Sequence, residues 1–276
     1  MVHEVISLKD YFPFLGENGC DPLLSTYLMD ITPEMSATEQ MRPALLILPG
    51  GGYYFVSSRE GEPVALHFMA KGYRVFVLRY SVHPYAFPIA IREVAAAMEL
   101  IHQNAEAWCV DVNRIAIMGF SAGGHLAGHY SNCYDCKEVR ALFPESKPVK
   151  AAVLSYPVIT ADPRWHHIKS FLHLSGKKEL TEDTIENFSL DRLVSEKTPP
   201  TFLWHTREDK IVPVMNSLLY AQALTEHNIP FALHIYPAGP HGTSTNDRLT
   251  RADIPESQAR LHVWMEEADH WLVNTL

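Results

Sequence analysis

The segment Gly119–Gly123 places Ser121 between two glycines, at a point where the pattern of the sequence changes. The stretch before it, Arg114–Met118, is apolar and rich in β-forming residues, and the stretch after it, Gly124–Tyr130, can be helical. This order predicts a strand, a tight turn and a helix, with the serine at the apex of the turn. Such a turn holds a nucleophile in a strained backbone, so its neighbours must be small. The helix directs free N–H groups and its positive dipole end toward the same point.

The Gly-x-Ser-x-Gly pattern is weak evidence on its own. Three fixed positions of these residue types arise by chance in roughly one chain in ten of this length. A glycine-rich turn of any α/β protein is therefore the alternative. Residues elsewhere in the chain must decide whether Ser121 is a catalytic group.

Size and charge limit the classes of protein to which the chain can belong. Its 276 residues suit two domains or one large α/β domain, and a hydrophobic content of 47% is enough for a sizeable core. We predict a single domain over residues 1–276. The net charge of −9 disfavours nucleic acid or an anionic membrane surface as a partner.

The first ten residues have neither a basic start nor a long apolar run, so no secretion signal is expected. No apolar stretch approaches the length of a membrane span. We therefore expect a cytoplasmic protein. Cys133 and Cys136 form a C-x-x-C pattern without a second pair or a histidine at zinc-finger spacing, so we expect free thiols and no metal site.

Strand-like and helix-like segments alternate along the chain. Unbroken apolar runs such as Ala44–Leu48 and Ala151–Tyr156 are typical of strands buried on both faces. Helical spacing of apolar residues follows Pro88, and a closing helix is predicted over Glu256–Leu272 after a last strand at Phe231–Tyr236. The alternation predicts an α/β fold with a mostly parallel central sheet and helices on both faces.

The segment of about residues 160–198 interrupts this alternation, because it is polar, rich in histidine and longer than an ordinary connection. We predict that it forms a small cap or lid between strands of the sheet. Its histidines His166, His167 and His173 are expected to be solvated, with a ligand role as the alternative.

A serine hydroxyl needs a base to take its proton, and the base needs an acid to orient it. After a turn of this kind the acid and then the histidine follow along the chain, each in a loop after a strand. Asp209 directly follows the predicted strand Thr201–His205; a turn or capping role is its alternative, and Glu208 is its local competitor. His241 lies between flanking glycines after the last strand. We therefore predict that Ser121, Asp209 and His241 form a catalytic triad.

A run of three glycines within Pro49–Tyr53 follows an early strand. Preorganised backbone N–H groups stabilise the oxyanion of acyl transfer, and glycine lets the backbone approach that oxygen closely. We predict that the N–H groups of Gly51 or Gly52 and of Ala122 form an oxyanion hole. Phosphate binding is the alternative, but the sequence has neither G-x-G-x-x-G spacing nor a following Lys-Ser/Thr here.

Together these motifs resemble the α/β-hydrolase superfamily over nearly the whole chain. The chain is most similar to bacterial acetyl xylan esterases and other carbohydrate acetylesterases. The matching segments are Pro49–Tyr53, Gly119–His125, Pro199–Thr206, Asp209–Pro213 and Gly239–Gly242. Many related esterases have histidine where Pro49 stands, so this position is similar to the sugar-esterase group and disfavours a lipase.

The resemblance implies a serine esterase that releases short acyl groups, acetate above all, from sugars or oligosaccharides without a metal or an organic cofactor. Tyr53, Tyr54 and Trp165 are the predicted substrate contacts, because aromatic faces suit sugar rings; ordinary hydrophobic lining is the alternative. A general carboxylesterase, a formamidase-like amidase and a catalytically silent fold used for binding are the competing interpretations. Apolar surface around the closing helix is compatible with a homodimer.

Overall fold

The computed structural model of the protein describes residues 1–17, 19–32, 34 and 40–276. Within these residues, eight strands form one sheet. Their bounds are β1 Val5–Ser7, β2 Leu23–Tyr27, β3 Arg42–Leu48, β4 Arg74–Arg79, β5 Val110–Phe120, β6 Ala151–Ser155, β7 Thr201–Thr206 and β8 Phe231–Tyr236. The order across the sheet is β1-β2-β4-β3-β5-β6-β7-β8. Strand β2 pairs in antiparallel fashion with both β1 and β4. The remaining neighbours in the sheet, in the order β4, β3, β5, β6, β7 and β8, pair in parallel.

Helices cover both faces of this sheet. In the described ranges their bounds are α1 Glu62–Ala70, α2 Ile89–Gln103, α3 Ala122–Cys133, α4 Lys137–Arg140, α5 Ile168–Ser175, α6 Glu182–Phe188, α7 Leu190–Leu193, α8 Met215–Glu226 and α9 Val263–Thr275. Alternate residues of a strand point to opposite faces. In β3, Leu46 joins a core with α2, α3 and α8, whereas Leu45 and Ile47 join a second core with α1 and α9. The predicted mostly parallel sheet with helices on both faces is confirmed.

Two elements differ from the prediction. The closing helix begins at Val263 rather than at Glu256, and Glu256–Gln258 form a single 3-10 turn. Most helical stability in proteins comes from packing, and the helix begins where Trp264 first packs against the sheet. The short strands β1 and β2 at the sheet edge were not predicted, since a few residues carry little periodic signal.

The predicted cap contains α5, α6 and α7. Phe171, Leu174 and Leu190 from this segment are buried in the same core as α2 and α3. The Leu190 N–H donates to the carbonyl of Ile159 at 2.8 Å. The segment therefore packs onto the main core, while its action as a lid and the division of the chain into domains stay predictions.

Two further expectations concern membrane contact and the thiols. In the part of the chain that the structure describes, no helix combines the length and apolar character needed to cross a bilayer. The four cysteines are free thiols. Cys133 is the last residue of α3 and Cys136 lies beyond it, at the position expected from the sequence.

Candidate active site

Ser121 lies in a sharp turn between β5 and α3. Its φ of 52° and ψ of −118° belong to a region that L residues rarely adopt. The turn needs glycine on both sides: a Cβ atom at Gly119 would lie 2.2 Å from the Gly123 carbonyl oxygen, and one at Gly123 would lie 2.1 Å from the Leu48 carbonyl oxygen. The Ser121 N–H donates to the Ser155 carbonyl at 3.0 Å, so β6 anchors the turn.

Replacing Gly123 with alanine is expected to lower the free energy of unfolding by at least about 3 kcal/mol. The new methyl group would contact the carbonyl groups of Leu48 and Pro49, which cannot move without displacing β3. Urea denaturation measures the loss. Gly16→Ala is the matched control, because a Cβ there meets only the Lys9 side chain at 3.5 Å. A loss at Gly123 no larger than that at Gly16 would contradict the expectation.

The three side chains predicted as a triad are in hydrogen-bond contact. His241 Nε2 lies 2.7 Å from Ser121 Oγ, and His241 Nδ1 lies 2.6 Å from Asp209 Oδ2. They come from the loops after β5, β7 and β8, whose carboxyl ends meet at one edge of the parallel sheet. The Asp209 carboxylate is fully buried, whereas the His241 side chain is 15% exposed. A ligand can therefore reach the histidine and the serine but not the acid.

Asp209 has partners on both carboxylate oxygens. Oδ1 accepts the N–H groups of Ile211 and Val212, each at 2.9 Å, and Oδ2 lies 3.3 Å from His205 Nε2 as well as against His241. Burial by itself would raise the pKa of Asp209, but hydrogen bonds from His205 and His241 hold it well below its ordinary value. The carboxylate is consequently ionised throughout the neutral range.

The neighbours of Asp209 have different environments. The Glu208 side chain is 48% exposed and lies 3.5 Å from Arg207, so the structure directs Asp209 rather than Glu208 toward the histidine. His205 is fully buried, with Nδ1 2.8 Å from Ser217 Oγ and Nε2 2.9 Å from the Val212 carbonyl. The contact between His205 and Asp209 was not predicted, because a histidine inside an apolar strand gives no signal of its partner.

The glycine loop after β3 has a backbone that requires glycine. Gly51 has a φ of 132° and Gly52 a φ of 65°, and a Cβ atom at Gly51 would lie 1.9 Å from the Phe55 carbonyl oxygen. Both glycines border the same cavity as Ser121. Ala122 is the first residue of α3, and the first N–H groups of a helix have no partner within the helix. The predicted donors are therefore next to the serine, and their role stays a prediction.

A cavity of about 610 Å³ opens at Ser121 and His241, a size that suits a small ligand. Its wall combines apolar side chains with cations: Phe55, Leu172, Ile211, Arg59 and Lys169. Two of these residues, Leu172 and Lys169, belong to α5 of the predicted cap. The cap therefore forms part of the cavity wall.

The structure brings Tyr54 to the cavity but not the other two predicted substrate contacts. Tyr54 is 62% exposed and stacks on His173 with ring centroids 5.2 Å apart. Tyr53 is 2% exposed, and its hydroxyl lies 2.8 Å from His125 Nδ1. The Tyr53 backbone has a φ of 55°, in the left-handed region. Trp165 is absent from the described residues that line the cavity.

The three histidines of the predicted cap also differ in whether they line the cavity. His167 and His173 are half-buried and line the cavity, whereas His166 does not belong to the described wall. His173 Nδ1 lies 2.8 Å from the Gly52 carbonyl and ties α5 to the glycine loop. His167 Nδ1 lies 2.8 Å from Ser170 Oγ, and burial lowers the pKa of His167. Among the described residues, no group of three His, Cys, Asp or Glu side chains could hold a metal ion.

Glu60 is a buried acid at the cavity that no motif predicted. It is 3% exposed and ends the 3-10 turn Ser58–Glu60. In the sequence, the glutamate belongs to an ordinary polar segment. Its neighbours in space, Gly50 and Tyr156, become visible only in the folded chain.

Comparison with known proteins gives the chain a family and close relatives. The profile of the BD-FAE family matches residues 29–224, a range that includes Ser121 and Asp209. Endo-1,4-beta-xylanase B of Butyrivibrio fibrisolvens is 39% identical over 75% of this chain. Acetylxylan esterase of Xylanibacter ruminicola is 32% identical over 72% of it. The alignments cover 34% and 40% of those two relatives, so the chain spans well under half of their lengths.

Two solved structures superpose on nearly the whole length of this chain. The acetyl ester-xyloside bifunctional hydrolase from Caldicellulosiruptor lactoaceticus has a TM-score of 0.84 and 33% identity, covering 98% of this chain and 96% of that one. A carboxylesterase from Lactobacillus plantarum has a TM-score of 0.80 and 27% identity, covering 99% and 98%. The resemblance inferred from the motifs is confirmed, and the chain belongs to the BD-FAE family of α/β hydrolases.

Proposed function

We propose that the protein is a serine esterase that hydrolyses short-chain esters, acetyl esters of sugars or oligosaccharides in particular. The observation that carries the proposal is the continuous hydrogen-bonded chain from Ser121 through His241 to Asp209. The serine end of this chain opens into the cavity beside the glycine loop. A serine made nucleophilic in this way suits acyl transfer.

The first half-reaction acylates the serine. His241 Nε2 removes the proton of Ser121 as Oγ attacks the ester carbonyl carbon. The N–H groups of Gly51 or Gly52 and of Ala122 bind the oxyanion that forms. The ester C–O bond then breaks, and His241 returns its proton to the departing alcohol.

The second half-reaction releases the acid. His241 takes a proton from water, whose oxygen attacks the acyl-enzyme carbonyl, and the same donors bind the second oxyanion. The bond to Ser121 breaks, and the serine oxygen recovers its proton from His241. Asp209 stays ionised throughout and stabilises the charged imidazolium in both halves.

The substrate assignment draws on the relatives and on the cavity. An acetylxylan esterase and an acetyl ester-xyloside hydrolase are among the proteins to which this chain is similar. The exposed ring of Tyr54 borders the cavity and offers a face on which a sugar ring can stack.

The deciding experiment compares kcat/KM for acetyl, butyryl and octanoyl nitrophenyl esters with release of acetate from acetylated xylo-oligosaccharides. Preference for acetyl together with efficient release from the sugar supports the proposal. Efficient turnover of longer esters without action on the sugar would assign a general carboxylesterase. Faster turnover of matched amides would assign an amidase.

Replacing Tyr54 with alanine is expected to raise KM for acetylated xylo-oligosaccharides about 3- to 10-fold, because the stacking surface is lost. The same change is expected to leave kcat/KM for ethyl acetate within about twofold, since that ester has no ring that could stack on Tyr54. Tyr11→Ala is the control, because Tyr11 is 54% exposed and does not line the cavity. An unchanged KM on the oligosaccharide would remove Tyr54 from the substrate site.

A further inference from the structure

Glu60 is a carboxylate buried beside the serine, and the proposed reaction gives it no role. It lines the cavity but is only 3% exposed. Removing a carboxylate from water costs free energy unless partners replace the lost hydration. The burial of this carboxylate must therefore be compensated by hydrogen-bond partners, and these partners indicate its role.

The partners of Glu60 show which protonation state the site is built for. The Gly50 N–H donates to Oε2 at 2.8 Å, and the Tyr156 hydroxyl donates to Oε1 at 2.7 Å. The Tyr156 oxygen in turn accepts the Ser244 N–H at 3.1 Å, which leaves its own proton for Glu60. Burial raises the pKa of Glu60, while the hydrogen bonds from Tyr156 and Gly50 oppose that rise. With donors on both oxygens, the arrangement matches the ionised carboxylate.

Each of these hydrogen bonds ends at a part of the catalytic apparatus. Gly50 directly precedes the two glycines of the predicted oxyanion hole, and its own N–H is held by Glu60. The Tyr156 ring packs edge-on against the His241 ring, with centroids 5.1 Å apart at 69°. One side chain therefore connects the glycine loop after β3 to the wall that supports the histidine.

The charge of Glu60 also acts on His241. A positive charge on His241 lowers the pKa of Glu60, so the carboxylate and the imidazolium attract each other whenever the reaction charges the ring. Among the described residues, Asp209, Ser121, Tyr156, His167 and Glu60 contact His241 or interact with its charge, and Arg59 lies beside the neighbouring Gly242. Asp209 and Glu60 are the acids of this set, and they approach the ring from different elements.

We propose that Glu60 is a positioning residue of the hydrolase reaction: it holds the Gly50–Gly52 loop in place for oxyanion binding and places a negative charge near the His241 imidazolium that forms in each half-reaction. The inference rests on the proposed function, because an oxyanion and an imidazolium arise only if Ser121 acts as the nucleophile. It adds to the triad a buried acid that is separate from Asp209 and acts through Gly50 and Tyr156.

The test compares Glu60→Gln, Tyr156→Phe and the double variant with the wild type on nitrophenyl acetate. Glutamine removes the charge, and its amide cannot accept from both Gly50 and Tyr156. We expect Glu60→Gln to lower kcat about 30- to 100-fold, the cost of a small misplacement in an active site, with KM within about twofold. The acid limb of the kcat/KM profile should move to lower pH, because the variant lacks the negative charge beside the catalytic groups.

Tyr156→Phe keeps the charge and loses one hydrogen bond, so we expect a smaller fall in kcat, about 3- to 10-fold. Because Tyr156 and Glu60 share one hydrogen bond, the double variant should resemble Glu60→Gln rather than multiply the two losses. Should Glu60→Gln not fold, Tyr156→Phe decides: an unchanged kcat overturns the proposal.

Glu93→Gln is the matched control, because Glu93 is also fully buried and accepts a backbone N–H and a hydroxyl, both from Ser81. It does not line the cavity. We expect its kcat within about twofold of wild type and its acid limb unmoved. A kcat for folded Glu60→Gln equal to wild type, or an acid limb that stays in place, would overturn the role of Glu60. Ser121→Ala separates the two proposals, since activity that survives in that variant overturns the proposed function instead.

Discussion

Ser121→Ala is expected to lower kcat for acetyl ester hydrolysis by about six orders of magnitude. The variant keeps the cavity, the glycine loop and the His241–Asp209 pair, but it has no oxygen from which an acyl-enzyme can form. Residual turnover should come from the oxyanion donors and from binding alone. The Ser121 hydroxyl bonds to His241 at 2.7 Å, and the variant should fold normally because the backbone of the turn is unchanged.

Steady-state kinetics on nitrophenyl acetate, with circular dichroism to establish folding, measures this loss. Ser58→Ala is the control, since Ser58 is exposed and does not line the cavity. A fluorophosphonate probe supplies a second readout and should label the wild type and Ser58→Ala but not Ser121→Ala. A loss of only a few-fold, or equal labelling of all three proteins, would exclude Ser121 as the nucleophile.

Asp209→Asn is expected to lower kcat about ten-thousandfold. The carboxylate accepts the Nδ1 proton of His241 at 2.6 Å and so leaves Nε2 free to take the serine proton. An amide in its place can donate to Nδ1, which favours the tautomer that carries its proton on Nε2 and cannot act as a base. The loss should therefore fall on kcat, because the cavity that binds substrate is untouched.

Glu208→Gln is the natural control for this variant, because it removes the adjacent acid of the chain, which is 48% exposed. We expect its kcat to stay within about twofold of wild type, as is usual for exposed charges. If Glu208→Gln lost as much activity as Asp209→Asn, or if Asp209→Asn kept a tenth of the wild-type kcat, the acid would be wrongly assigned.

Asp209 also links stability to pH. Its pKa is lower in the folded protein than the value of about 3.9 in an unfolded chain. The carboxylate therefore contributes stability at neutral pH that is lost as the pH falls below about 4 toward the folded-state value. The difference in the free energy of unfolding between wild type and Asp209→Asn should be largest near neutral pH and shrink on acidification. A difference that grows in acid would contradict this sign.

The motifs that were readable in the sequence are those made of neighbouring residues. The turn at Ser121 could be recognised in the sequence because glycines flank the serine between a predicted strand and a predicted helix. Asp209 and His241 could be chosen because each directly follows a strand, and the carboxyl ends of parallel strands meet at one edge of a sheet. Unbroken apolar runs that alternate with segments of helical spacing were likewise enough to predict the sheet and the helices on both faces.

What the sequence could not show depends on contacts between distant segments. Tyr53 and Tyr54 are adjacent and chemically alike, yet one bonds to His125 in the core and the other faces the cavity. The path of the folded backbone decides between them, and Tyr53 has a φ of 55°, in the left-handed region. Trp165 was predicted at the substrate site because it is aromatic and lies in the predicted cap, and neither property tells where its side chain points.

The sequence by itself therefore determined the fold class, the glycine-flanked turn at Ser121 and the three side chains that meet at it, because chain order and strand ends bring them together. The tertiary structure decided the shape and charge of the cavity around them. Glu60 bonds to Tyr156 across 96 positions of sequence, and the His173 ring lies against the Gly52 carbonyl across 121. No local pattern encodes such pairs, since they arise only when the cap and the loops pack over the edge of the sheet.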